Sequence, residues 1–317
     1  MTAPDDRPHV LMTGPYPEWD MAALQPHYTL HRLWEAEDRA AFIARHAPSI
    51  RAIATRGELG ANAELIGALP QLALIACYGV GTDAIDLAAA RDRGIRVTNT
   101  PDVLTGDVAD LAVGLALGLM RRIPAADAYV RSGAWAQGNM GLVTRLYGKR
   151  VGIVGFGRIG VTLAHRLTGF DVEIGYHDVA ARADSPQRFF ADLAALADWS
   201  DLLVVTLAGG PATKGIVNAD VLRALGPNGF LVNVSRGSTV DEPALIDALQ
   251  HKTIAGAALD VFWNEPNIDA RWLGLDNVLL QPHHASGTVE TRRAMGQLVR
   301  DNLQAFFTGQ PLLTPVA

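Results

Sequence analysis

The chain has 317 residues, a formal net charge of −6, 49% apolar residues and one cysteine. That length supports two moderate cores in a soluble globular protein, and the acidic balance, with no basic run longer than Arg121–Arg122 or Arg292–Arg293, argues against a nucleic-acid partner. Cys77 has no mate for an intramolecular disulfide; closing the apolar run LALIAC, it reads as a small core residue in a reducing compartment.

At the N-terminus Asp5 and Asp6 stand where a secretory signal would carry basic residues, which predicts a cytoplasmic protein. The segments HVLMTG, RAIATRG, LALIACYG and IRVTN read as strands, and NAELIGAL and DAIDLAAARD as helices between them, forming a first α/β unit. Within YGVGTDAID, Gly79 and Gly81 form a GxG without the third glycine of a nucleotide fingerprint, so this reads as a ligand-facing loop. Thr100 and Pro101 mark a boundary before a long helical pattern from Val103 to Arg122. Its apolar block, Leu111 to Met120, falls short of the roughly 18 to 20 residues needed to cross a bilayer, which predicts a buried or interface helix and no membrane partner. Ala109, Ala112, Gly114, Ala116 and Gly118 make one side small enough to pack closely against a symmetry mate, and a homodimer is predicted.

The most informative segment is VGIVGFGRIG at 151–160. An apolar strand breaks into Gly155, Gly157 and Gly160, one to make the tight strand-to-helix turn, one to let a pyrophosphate touch backbone, and one to bring helix against strand. The helix N-terminus then offers N–H groups to the phosphates. The next strand, VEIGYHD, ends in Asp178, roughly 20 residues on, where a carboxylate can accept hydrogen bonds from a ribose diol and repel a 2′-phosphate. NAD(H) is therefore the preferred cofactor, with NADP(H) possible because His177 and Arg182 are close in sequence.

Four further strands follow, DLLVVTL, GFLVNVS, IAGAALDV and NVLLQP, giving a six-stranded doubly wound parallel sheet. In DEPALIDALQ, Asp241 is placed as a helix N-cap with Pro243 in the first turn. Thr288 to Thr308 reads as one amphipathic helix stopped by Gly309 and Pro311. Because the second sheet is already complete, this helix is expected to return to the first unit. The predicted fold is thus α/β: a Rossmann domain over residues 100–284 and a smaller, flavodoxin-like substrate domain, discontinuous over 1–99 and 285–317. Ligands are expected at the carboxyl ends of the strands.

Arg236, Glu265 and His283 all fall at or just beyond successive strand ends of the second half. Topology therefore predicts that a guanidinium, a carboxylate and an imidazole converge near the nicotinamide. His283 and His284 are adjacent, yet neighbouring side chains on extended backbone point apart and no Cys or carboxylate spacing completes a ligand set, so no metal is expected.

With GIRVTNTPDVLTGDVADLA, VGIVGFGRIG, NVSRG, ALDVFWNEP, QPHHASGTVETR and the ending PLLTPV in this order, the chain resembles the D-isomer-specific 2-hydroxyacid dehydrogenases over nearly its whole length, in the glyoxylate/hydroxypyruvate reductase and hydroxyphenylpyruvate reductase branch. The resemblance implies reduction of a small 2-oxo acid to the D-2-hydroxy acid. Arg236 would hold the substrate carboxylate and polarise its carbonyl, a task suited to a planar fork of donors. His283 would deliver the proton, and Glu265 would orient the imidazole and favour its charged form; relatives that oxidise formate carry glutamine at the latter position. The resemblance further implies that the backbone N–H groups of Val80 and Gly81 bind the substrate carboxylate and that Arg56 and Gly57 form part of the pocket wall. Arg158 and Ile159 would face the pyrophosphate through their backbone, Asp260 would bind the nicotinamide amide, and Ser286 would lie beside the ring. Trp135, in the pattern Arg131-x-Gly133-x-Trp135, would reach in from a neighbouring subunit. Gly79, Gly209, Gly210, His284 and Ala285 depart from the family pattern. The alternatives are a reductase of a larger 2-oxo acid, such as hydroxyphenylpyruvate or 2-ketogluconate, and a cofactor-sensing binding protein resembling the co-repressors of this fold.

Overall fold

The computed structural model describes residues 7–316; Asp5 and Asp6 lie outside the described residues. In chain order the first stretch contains β1 (His9–Met12), α1 (Glu18–Leu24), β2 (Thr29–Arg32), α2 (Arg39–His46), β3 (Ile50–Arg56), α3 (Ala63–Ala68), β4 (Leu74–Tyr78), α4 (Leu87–Asp92) and β5 (Arg96–Thr98). Next come α5 (Thr105–Met120), α6 (Ile123–Arg131), β6 (Arg150–Val154), α7 (Arg158–Leu167), β7 (Glu173–His177), β8 (Arg188–Phe189), α8 (Leu193–Trp199), β9 (Leu202–Val205), α9 (Ala219–Leu225), β10 (Phe230–Asn233), α10 (Glu242–Gln250), β11 (Gly256–Leu259) and β12 (Val278–Leu280), and the chain closes with α11 (Val289–Phe307). Two compact units result: one runs to Leu104 and resumes at Ser286, the other spans Thr105–Ala285. These divisions fall a few residues from the expected boundaries at 99/100 and 284/285.

The first unit is a five-stranded parallel sheet in the order β2-β1-β3-β4-β5, the flavodoxin-like arrangement. The interior strand β4 is buried at all five positions, as a parallel strand covered on both faces must be. Strand β2 is an addition to the four expected strands. With the polar sequence TLHR and one buried residue, it carries no apolar alternation. The helix α11 belongs to this unit and is capped by the Thr288 side chain, which accepts from Thr291 N–H.

The second unit holds seven strands rather than six, in the order β12-β11-β10-β9-β6-β7-β8. The extra one, β8, is two residues long beside β7. The sheet is wholly parallel and reverses direction of winding between β6 and β9, the switch point where open α/β sheets bind ligands. The register aligns His177, Val154, Val205, Asn233, Leu259 and Leu280 across six neighbouring strands. The segments after them therefore leave the sheet along one edge, which positions the site. Asp241 caps α10 as its sequence predicts, accepting from Ala244 N–H at 3.1 Å. Among the described residues no helix is long and apolar enough to cross a membrane.

Candidate active site

At the switch point, Gly155 turns the chain out of β6 with φ +93°, a conformation that disfavours other residues. A Cβ on Gly160 would collide with the Gly155 carbonyl, so α7 can approach the strand only without a side chain there. That carbonyl accepts from Thr206 Oγ1 at 2.6 Å. Gly157, by contrast, faces open space and caps α7 with no side-chain hydrogen bond to its first-turn N–H groups. Arg158 and Ile159 form that first turn. Open space in front of backbone at a helix start fits a dinucleotide pyrophosphate.

Asp178 lies immediately after β7, level with the glycine turn. Its two oxygens accept from Phe156 N–H and Val179 N–H, each at 2.7 Å, which leaves lone pairs on both oxygens for a ribose diol. Arg182 is bound in a two-pronged pair with Asp184, at 3.0 and 2.8 Å, and the His177 ring meets the Phe190 carbonyl at 3.0 Å. Both nearby side chains are thus engaged inside the unit.

On the other side of the switch point, the structure brings His283 and Glu265 together: Nδ1 lies 2.6 Å from Oε2. The second carboxylate oxygen, Oε1, accepts from Phe262 N–H at 2.7 Å, which fixes the carboxylate plane. Burial pushes the Glu265 carboxyl up, but the hydrogen bonds from His283 and Phe262 and the positive charges of His283 and Arg236 outweigh it, and it is held below the usual glutamate value. With Nδ1 committed to Glu265, Nε2 is the ring nitrogen left to carry a transferable proton.

His283 sits at φ +52°, a left-handed conformation rare outside glycine. Asp260, one residue past β11, explains how it is held. Its backbone carbonyl accepts from His283 N–H at 2.7 Å, and its carboxylate accepts from His284 N–H at 2.7 Å and Ala285 N–H at 3.0 Å. Burial nevertheless keeps the Asp260 carboxyl above its ordinary value. This clamp on the histidine turn is a role that reading the sequence missed; the only signal was an acidic residue at the end of an otherwise apolar strand.

Arg236 follows β10 and is half-buried, its guanidinium donating to the Ser235 carbonyl at 2.8 Å. A buried trio holds its backbone. Asn233 and Thr239 donate to the Arg236 carbonyl at 3.1 and 2.7 Å, and the Asn233 amide oxygen accepts from both the N–H and the hydroxyl of Ser235. Asn233 and Thr239 were not foreseen, although a polar residue ending a buried strand was visible in NVSRG.

The remaining candidates belong to other segments of the chain. Val80 and Gly81 lie in the first unit, in the loop after β4. The carbonyls of Gly79, Val80 and Gly81 are drawn back by Thr100 N–H at 3.0 Å, the Asn99 amide at 2.8 Å and, more weakly, the Cys77 thiol at 3.5 Å. Gly57, after β3, packs on this loop: a Cβ on Gly79 would lie 3.4 Å from its nitrogen. Arg56 pairs with Glu58 at 2.5 Å. Ser286 opens the returning stretch of the first unit, and Trp135, 62% exposed, follows α6 in the second. His284 is exposed, and among the described residues no group of three or more His, Cys, Asp or Glu side chains is placed to hold a metal ion.

Residues 113–285 match the family described as D-isomer specific 2-hydroxyacid dehydrogenase, NAD binding domain. The chain belongs to the D-isomer specific 2-hydroxyacid dehydrogenase family. The dehydrogenase is 47% identical to a hydroxyphenylpyruvate reductase of Plectranthus scutellarioides, over 97% of this chain and 98% of that one. Among solved structures, a 2-hydroxyacid dehydrogenase from Ketogulonicigenium vulgare Y25 is 57% identical with a TM-score of 0.92, covering 98% of both chains. The NADPH-dependent glyoxylate/hydroxypyruvate reductase of Sinorhizobium meliloti, solved with NADP and malonate, is 45% identical with a TM-score of 0.93, over 98% of this chain and 97% of that one. The dehydrogenase is accordingly an NAD(P)-dependent oxidoreductase of the 2-oxo acid and 2-hydroxy acid pair.

Proposed function

We propose that the protein reduces glyoxylate or hydroxypyruvate to the D-2-hydroxy acid, with NADH preferred. The observation that carries this reading is the 2.6 Å contact between His283 and Glu265. A carboxylate held against Nδ1 fixes the ring and its orientation, so that Nε2 is the nitrogen that can protonate the alkoxide developing on the substrate oxygen. The bound nicotinamide supplies the hydride. Arg236 binds the oxo acid through its fixed fork of donors and polarises the carbonyl. The loop N–H groups of Val80 and Gly81, with Arg56 and Gly57 in the wall beside them, receive the carboxylate. For the cofactor, Gly155, Gly157 and Gly160 shape the turn, Arg158 and Ile159 present backbone to the pyrophosphate, Asp178 takes the ribose diol, and Asp260 and Ser286 serve the nicotinamide end. Asp178 also supports NADH over NADPH, since a 2′-phosphate would meet its charge while Arg182 is occupied by Asp184.

Residues 1–99 with 285–317 serve as the substrate domain and 100–284 as the cofactor domain. The working form is a cytoplasmic homodimer in which Trp135 reaches the neighbouring subunit's site. Its exposure, together with exposed Ile123, Val130, Leu142 and Tyr147 in the same stretch, supports that arrangement.

The deciding experiment is NADH consumption across glyoxylate, hydroxypyruvate, pyruvate, hydroxyphenylpyruvate and 2-ketogluconate, repeated with NADPH. Highest kcat/KM is expected for glyoxylate or hydroxypyruvate with NADH. A preference for hydroxyphenylpyruvate or 2-ketogluconate would assign the larger-substrate function instead, and a preference for NADPH would overturn the role given to Asp178.

A further inference from the structure

The loop expected to receive the substrate carboxylate begins directly after Tyr78, and the environment of that tyrosine is unusual for the end of a strand. Tyr78 is buried, and its hydroxyl donates to the Arg292 carbonyl in the first turns of α11 at 2.5 Å. The same hydroxyl lies 3.4 Å from Oδ2 of Asp20 on α1. Asp20 has no solvent exposure and is ion-paired with Arg300, two turns further along α11. Between the two arginines, Gly296 leaves the space that Asp20 occupies, because a Cβ there would run into the carboxylate. The ring of Tyr16 lies against that of Tyr78, with centroids 4.7 Å apart.

A buried ion pair is weak evidence for a gain in stability, since removing two charges from water costs several kcal/mol each before their attraction offsets it. What such a pair does well is fix one register between the elements that carry it. Here those elements are α1 and α11, and the atom they jointly hold is the hydroxyl of the residue next to the loop. Backbone donors can bind an anion only if their directions are fixed in advance. The carbonyls of the loop are already drawn back by Thr100, Asn99 and Cys77, so its remaining freedom is a movement of the whole loop about the end of β4.

We infer that Tyr78 is a positioning residue for substrate binding, locked by the Asp20–Arg300 pair and the Arg292 carbonyl so that the Val80–Gly81 backbone is held ready for the substrate carboxylate. This rests on the carboxylate-binding reading above. Tyr78 touches no substrate; it acts through the loop. Its loss should therefore weaken oxo acid capture and leave both the chemistry at saturation and the cofactor site alone.

The test compares steady-state kinetics of the full chain carrying Tyr78→Phe, Gly296→Ala or Arg236→Lys, with Gln304→Ala as a control on the exposed side of α11, and thermal melts of each. Tyr78→Phe should raise the KM for glyoxylate about threefold to tenfold, the worth of one hydrogen bond, with kcat and the KM for NADH unchanged. Gly296→Ala, which keeps the hydroxyl and displaces the Asp20 carboxylate, should move the same constant in the same direction; Gln304→Ala should move none. A merely structural role for Tyr78 would lower Tm without changing that KM, and this outcome, with Arg236→Lys still raising KM, overturns the inference alone. If Arg236→Lys is silent as well, the oxo acid binds elsewhere and the inference falls with the reading beneath it.

Discussion

In the proposed reaction, the value of the Glu265–His283 pair depends on charge as well as on geometry. The carboxyl is held below its ordinary value, so the pairing is present in full above the usual carboxylate range and is lost only as pH falls through the depressed value. Between neutral pH and the ordinary glutamate range, wild-type kcat should show no loss from protonation of Glu265. Glu265→Gln keeps an acceptor for Nδ1 but removes the charge; kcat, read from NADH consumption at neutral pH, should fall by roughly tenfold or more. His283→Ala should cost at least about a hundredfold in kcat while NADH binding stays near normal, and unchanged turnover in that variant would clear His283 of the acid role. Both residues were legible in the chain because each follows an apolar strand, and topology brings strand ends together. Asp260 and the Asn233–Thr239 trio were legible only as polar residues at such ends. What they hold is backbone as far as 25 residues away, and a hydrogen bond over that separation leaves no periodic mark.

The elements that could be read from the chain were those with strong patterns: the apolar strands, the Asp241 cap and the long closing helix. The two strands that escaped, β2 and β8, are edge strands. Edges are short and polar because an apolar edge would recruit other chains, so the features that make them safe also hide them. β2 carries a further consequence. Its buried residue, His31, lies 2.8 Å from Nδ1 of His9 on β1 and has its ring centroid 4.2 Å from that of His46 at the end of α2. Burial, then the neighbouring His46 and His9, lower its pKa to about 4 from an ordinary value of 6.5. The unfolded chain therefore takes up the proton first as the solution is acidified. Stability associated with His31 is present in full above about 6.5 and is lost as pH falls toward 4. Thermal melts across that window should show Tm dropping by several degrees, and His31→Gln, which can still bond His9 but cannot titrate, should flatten the curve. An equally steep curve in that variant would place the acid sensitivity elsewhere.

At the scale of the whole molecule, the proposed homodimer needs a surface to form on, and exposed apolar side chains are the candidates. That surface is concentrated in the second unit. The helix α6 buries none of its residues, yet carries Ile123 and Val130 exposed, and Trp135, Leu142 and Tyr147 follow within the next turns and loop. A stable homodimer buries on the order of 1,200 to 2,000 Å² or more, so the interface should survive loss of any one of these side chains and fail when charge is placed at two. Trp135→Ala should accordingly remain dimeric by size-exclusion chromatography with light scattering. The double substitution Ile123→Asp, Val130→Asp should be monomeric. If the indole serves the neighbouring subunit's site, both variants should lose oxo acid affinity, one because the ring is gone and the other because its recipient has left. Loss of affinity in the monomer alone would mean that dimerisation shapes the site without Trp135. A fully active monomer would reduce the tryptophan to interface filler, and the substrate pocket would then have to be complete within a single chain.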